Sequence, residues 1–262
     1  MEQFPYRREP LRLTVHGTVT RDGATIEDVS FAGADDAPVS AYLVLPGVQG
    51  DGAAVMYMHM LGGGMDRSQF LDEAVELAGA GIVSVHVQGQ FPWDEAPHDL
   101  EHDSRLITQE VVNLRHGLDA LDDRLAHSIR ATAFVGHDYG AMYGALLASV
   151  DARISAAVLV AGHPHFSSWF VKYWELGDTA GPAYLAGMAE LDPVRYLASG
   201  RAMPLLLQFG SDDEFVSESE RQEFVLAALP PKETQIYEGD HHLNAEATVD
   251  RTRWLLSRLA GR

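Results

Sequence analysis

The sequence predicts an α/β protein: a mostly parallel central sheet with helices on both faces and a short helical lid. Three observations lead there. Short apolar runs alternate with segments of helical periodicity along most of the chain. Two of the runs, Ala53–Met58 and Ile154–Val160, are almost continuously apolar, the pattern of strands buried on both faces. Residues 133–142 read as a strand, a tight turn and a helix, with Gly136-His-Asp138-Tyr-Gly140 at the junction.

Taken in order, 11–19 and 25–31 are β-rich runs separated by Arg-Asp-Gly, a hairpin with its turn at Asp22-Gly23. A third strand follows at 39–45, then the strand Ala53–Met58, ending in His59-Met-Leu61-Gly62-Gly63-Gly64. A helical stripe over 68–80 stops at Gly79-Ala-Gly81, and 82–87 is the next buried strand. Residues 91–103 read as an acidic loop containing His98, His102, Asp94, Asp99 and Asp103, expected to be solvated because it lacks the i, i+4 pairing of a helical metal site. A helix is expected from 104 to about 121. Strands at Ile154–Val160, 205–209 and 233–237 alternate with helices, and Ala245–Leu259 is an amphipathic helix. Residues 166–196 stand outside the alternation; being aromatic and helical, they supply a small lid at about 164–198 within one domain spanning 1–262. Asp192-Pro193 is expected to start a short helix there.

Composition narrows the function. The chain has 262 residues and no cysteine, which excludes disulfides, a thiol nucleophile and a cysteine zinc site. A formal charge of −19 opposes binding to nucleic acid or an anionic membrane. No run is long enough to span a bilayer, and the opening residues lack the apolar core of a signal peptide, so a cytoplasmic protein is expected. Gly62-Gly63-Gly64 is not a phosphate loop, since no Lys-Ser/Thr follows it. Neither a cofactor nor a metal is expected. The expected partner is a small-molecule substrate, and a homodimer stays open.

In open α/β sheets reactive groups collect at the carboxyl ends of strands. Asp138 sits there on the tight turn, although a helix-capping Asp is the bland alternative. After the strand at 205–209 come Asp212 and Asp213, and after that at 233–237 come His241 and His242. The order acid at the turn, acid, histidine is that of a nucleophile, its orienting acid and a base. Either acid and either histidine fits, with Asp213 and His241 preferred. His163 and His165 follow another strand and are expected to pair with backbone rather than enter the pocket.

On the elbow Gly136–Gly140, the acid motif Gly210-x-x-Asp213-x-x-Val216, His241 before Leu243-Asn244, and His59 with its following glycines, the chain resembles the α/β-hydrolases. The resemblance covers about residues 39–259, and the layout is closest to the compact dienelactone-hydrolase and acetyl-esterase-like branch. That branch carries Ser or Cys at the elbow; an Asp there resembles epoxide hydrolases and haloalkane dehalogenases. The resemblance implies that Asp138 is the nucleophile, and that the backbone N–H groups of Leu61 and Tyr139 form an oxyanion hole. His59, Trp93, Trp169, Tyr173, Trp174 and Tyr184 are placed at the substrate pocket, the four lid aromatics also serving to pack the lid.

A carboxylate is already ionised at neutral pH and needs no base to attack. His241 therefore activates the water that hydrolyses a covalent ester, while Asp213 holds its tautomer. A carboxylate displaces well at saturated carbon, whereas attack on an ester gives a labile anhydride. Haloalkane dehalogenases commonly place Trp after the nucleophile; here it is Tyr139, while Tyr173 and Tyr184 offer acids for an epoxide oxygen. The expected substrate is an epoxide or another electrophilic saturated carbon. The alternatives are an esterase or lactonase of dienelactone-hydrolase type, and a non-catalytic binding protein derived from a serine hydrolase.

Overall fold

A computed structural model describes residues 3–8, 13–48, 50–62, 64–92, 99–126, 128–173 and 180–259, with 170–173 and 180 described by backbone alone. The strands are β1 (Thr14–Arg21), β2 (Ala24–Ala32), β3 (Pro38–Leu45), β4 (Ala53–Met58), β5 (Val83–Val87), β6 (Ala131–His137), β7 (Ile154–Val160), β8 (Leu205–Gly210) and β9 (Lys232–Tyr237). The helices are α1 (Leu71–Gly79), α2 (Leu100–Arg124), α3 (Tyr139–Val150), α4 (Phe166–Tyr173), α5 (Ala180–Met188), α6 (Pro193–Ser199), α7 (Glu218–Ala227) and α8 (Ala245–Leu259).

The strands form one sheet in the order β1-β2-β3-β5-β4-β6-β7-β8-β9. The three pairings at the β1 end are antiparallel and the other five are parallel. Antiparallel pairing starts from the two-residue turn Asp22-Gly23, whose φ values of 50° and 83° match the twist of a tight hairpin. Strand β1 is exposed along its whole length, whereas β4, β5 and β8 are buried at every position.

Side-chain alternation sorts the core into two layers. Ala54, Met56 and Met58 of β4 face the side covered by α2 and α3, while Ala53, Val55 and Tyr57 face α1 and α8. On the second face a buried ion pair locks α8 to α1: Arg251 Nη2 lies 2.6 Å from Glu73 Oε2, and Tyr57 Oη donates to Glu73 Oε1 at 3.1 Å. Gln208 Oε1 accepts from Arg251 Nη1 at 3.1 Å.

The acidic stretch expected as loop through 103 departs from the structure. Helix α2 starts at Leu100, because the Asp99 carboxylate caps it by accepting from the Glu101 N–H at 2.9 Å. Asp103 is consequently buried inside the helix rather than solvated, and accepts from Tyr184 Oη at 2.6 Å. Asp94 and His98 lie outside the described residues. The stretch read as a lid carries α4, α5, a 3₁₀ turn at Ala189–Leu191 and α6, with Pro193 at the first position of α6 after Asp192.

Candidate active site

Asp138 connects β6 to α3 with φ 55° and ψ −116°, a conformation most side chains avoid. The packing enforces it: a Cβ on Gly136 would lie 2.2 Å from the Gly140 carbonyl oxygen, and one on Gly140 would lie 2.3 Å from that of Met58. A bulkier residue at 136 would push α3 away from β6, and one at 140 would push it away from β4. The Asp138 N–H donates to the Val160 carbonyl at 2.8 Å, fixing the turn against β7.

The two carboxylate oxygens of Asp138 meet different surroundings. Oδ2 accepts from the Leu61 N–H at 3.2 Å. Oδ1 lies 3.6 Å from His241 Nε2, an ion-pair distance rather than a hydrogen bond, and has no hydrogen-bond partner among the described residues. Tyr139 is the first residue of α3, where the helix's own ladder supplies no acceptor for an N–H.

His241 Nδ1 lies 3.0 and 2.9 Å from the two oxygens of Asp213, which also accepts from the N–H groups of Phe215 at 2.8 Å and Val216 at 3.0 Å. Burial opposes charge on His241, but Asp138 and Asp213 outweigh it and push the imidazole up to about 9. For Asp213 burial works upward and is overcome by His241 and the two N–H donors, leaving the carboxyl below its usual value. His242 and Asp212 stay outside this contact: both are exposed, and Asp212 Oδ2 pairs with Ser211 Oγ at 3.0 Å.

The remaining expected residues divide. Trp169 is buried beside the site, its ring centroid 6.1 Å from Tyr139 and 5.7 Å from Phe215. Phe215 itself packs edge-on to His241 at 4.9 Å. Tyr184 directs its hydroxyl to Asp103, so that proton is committed away from a substrate. His59 has both nitrogens tied to nearby groups, Nδ1–H donating to the Met60 carbonyl at 2.8 Å and Nε2 accepting from the Gly89 N–H at 2.9 Å. It anchors the Leu61 turn from behind. Trp93, Trp174 and the Tyr173 side chain lie outside what is described. His163 and His165 engage carboxylates as well as backbone: His163 Nε2 is 3.1 Å from Glu220, and His165 bridges Asp192 and Glu223 at 2.9 Å each.

Three residues that carried no sequence signal complete the surroundings. They are Phe215, Gln69 and, inside the elbow, His137. The His137 ring is buried and lies 5.1 Å from that of His241.

A mostly parallel sheet, an elbow after β6, an acid after β8 and a histidine after β9 define the α/β-hydrolase fold, and this chain has it. It superposes on an acetyl xylan esterase from Paenibacillus sp. R4 with a TM-score of 0.75 at 18% identity, covering 96% of this chain and 90% of that one. Acetyl xylan esterase 1 from Thermoanaerobacterium sp. JW/SL YS485 gives 0.72 at 14% identity, covering 97% and 89%. An S-formylglutathione hydrolase from Agrobacterium tumefaciens gives 0.67 at 16%, covering 94% and 99%. No protein-family model and no curated protein sequence matches the chain.

Proposed function

We propose that the protein is a hydrolase working through a covalent ester on Asp138, with His241 as base and Asp213 as its orienting acid. The observation that carries this reading is the asymmetry of the Asp138 carboxylate. Oδ2 rests on the Leu61 N–H, where an ester carbonyl oxygen needs a donor, and Oδ1 is left to attack. A helix-capping role is disfavoured, because the Asp138 side chain makes no cap hydrogen bond to α3.

For an epoxide the steps balance as follows. Oδ1 attacks a ring carbon, the carbon–oxygen bond breaks, and the opened oxygen takes a proton from the His241 imidazolium. Esterification removes the Asp138 charge, so His241 loses one of the two carboxylates that hold its proton and becomes a neutral base. It then takes a proton from water, whose oxygen attacks the Asp138 carbonyl carbon, and negative charge collects on Oδ2 at the Leu61 N–H. Collapse releases the diol, which recovers the proton from His241. Asp138 is regenerated with one oxygen from water, and its remaining proton returns to His241.

The aromatic walls of Trp169, Phe215 and Tyr139 favour an apolar organic substrate, and the overall negative charge favours a neutral one. A second reading, ester or lactone hydrolysis, draws on the esterase structures that share the fold. A panel of epoxides, haloalkanes, aryl acetates and lactones separates the two. Epoxide or haloalkane turnover is expected; strong ester turnover without either would reverse the order. On the first reading Asp138→Ser loses the panel activity, whereas on the second it gains ester turnover.

A further inference from the structure

A chain of three hydrogen bonds joins the turns that carry Leu61, Asp138 and His241. The Met60 N–H donates to Gln69 Oε1 at 2.8 Å, Gln69 Nε2 lies 2.7 Å from His137 Nδ1, and His137 Nε2 lies 2.9 Å from the His241 carbonyl oxygen. The ends of the chain fix its direction. A backbone N–H can only donate and a carbonyl can only accept, so Gln69 presents its oxygen to Met60 and its amide hydrogens to His137. His137 is therefore the Nε2–H tautomer, accepting at Nδ1 and donating to His241.

We propose that Gln69 and His137 are positioning residues, which hold the Leu61 donor and the His241 backbone in one register with the elbow. The relay works only while His137 is neutral. A proton on Nδ1 would face the Gln69 amide hydrogens; turning the amide to accept it would set those hydrogens against the Met60 N–H and break the link. The surroundings keep His137 neutral: burial, then the neighbouring His241, pull it down to about 3. His242 at 6.2 Å from the same loop and Arg251 of α8 act the same way, the latter softened by its pairing with Glu73 of α1.

Ring-nitrogen NMR on the unmutated protein tests the tautomer without any substrate. His137 is expected as neutral Nε2–H, showing no titration from about pH 5 to 9. In Gln69→Leu, with its thermal midpoint kept, the His241 titration is expected to fall toward the ordinary histidine value as its contacts with Asp213 and Asp138 loosen. Its kcat should drop about tenfold with KM little changed, a loss in the range of small misplacements. An Nδ1–H tautomer in the unmutated protein overturns the proposal, and so does a folded Gln69→Leu in which His241 titrates unchanged. If Gln69→Leu fails to fold, the tautomer still decides. Only the kinetic arm rests on His241 as base; the NMR arms stand or fall without the covalent mechanism.

Discussion

Replacing Asp138 by Asn removes one charge next to His241 with almost no change of shape, and so imitates what esterification does in the proposed cycle. In the unmutated protein His241 is raised from 6.5 to about 9. That rise corresponds to roughly 3 kcal/mol favouring the imidazolium, at about 1.4 kcal/mol per decade. Asp138, 3.6 Å from Nε2, and Asp213, 2.9 Å from Nδ1, together overcome the opposing effect of burial, and Asp138 contributes at least as much as Asp213. With burial still opposing the charge, loss of Asp138 should lower the His241 titration midpoint by more than about one pH unit, toward the ordinary histidine value. The assay is an NMR pH titration of the His241 ring, identified by its absence in His241→Gln. The linked stability has a definite sign. A raised histidine stabilises the fold fully below 6.5, and that contribution is lost as pH rises through about 9. The Asn variant should therefore lose the Asp138 share of this contribution at pH 6 and show little of that difference at pH 10. A His241 midpoint still near 9 in Asp138→Asn would refute the idea that esterification discharges the base.

Other outcomes follow from the same contacts. Gly140→Ala would place a methyl group 2.3 Å from the Met58 carbonyl, so a loss of about 1–3 kcal/mol in chemical denaturation is expected, and an unchanged midpoint would contradict the elbow packing. Glu73→Gln strands the buried Arg251 charge and should cost about 3–5 kcal/mol by the same assay; a loss below about 1 would show that water reaches the pair. His165 is raised by its hydrogen bond to Asp192, despite burial, so its contribution is full below 6.5 and fades as pH rises through the raised value. His165→Gln should accordingly destabilise more at pH 5.5 than at pH 9, and equal losses would remove His165 from the pairing.

The sheet was legible because its strands are short apolar runs with clear breaks: Ala53–Met58 and Ile154–Val160 have the bounds that the pattern predicts, as does the amphipathic helix Ala245–Leu259. The elbow was legible because a backbone that passes within contact of Met58 tolerates only glycine at 140, and glycine spacing is visible in a sequence. The start of α2 was misjudged because acids read as solvent-facing until a partner is known. Asp103 is buried by Tyr184, 81 residues away, and Glu110 by Asn113, which donates at 3.1 Å while burial pushes that carboxyl up to about 8. Residues that act through backbone groups left no pattern at all: Gln69 has no motif, and its role exists only once Met60 and His137 are brought to it. His59 was legible as part of the Leu61 turn from its place before the glycines, but the Met60 carbonyl and the Gly89 N–H that engage its two nitrogens were not.

The covalent ester on Asp138 is tested most directly by stalling its hydrolysis. His241→Gln, mixed with a substrate that the unmutated enzyme turns over, should gain the mass of one substrate molecule, and peptide mapping should place it on Asp138. Turnover by the unmutated enzyme with no adduct on Asp138 in the variant would contradict the mechanism.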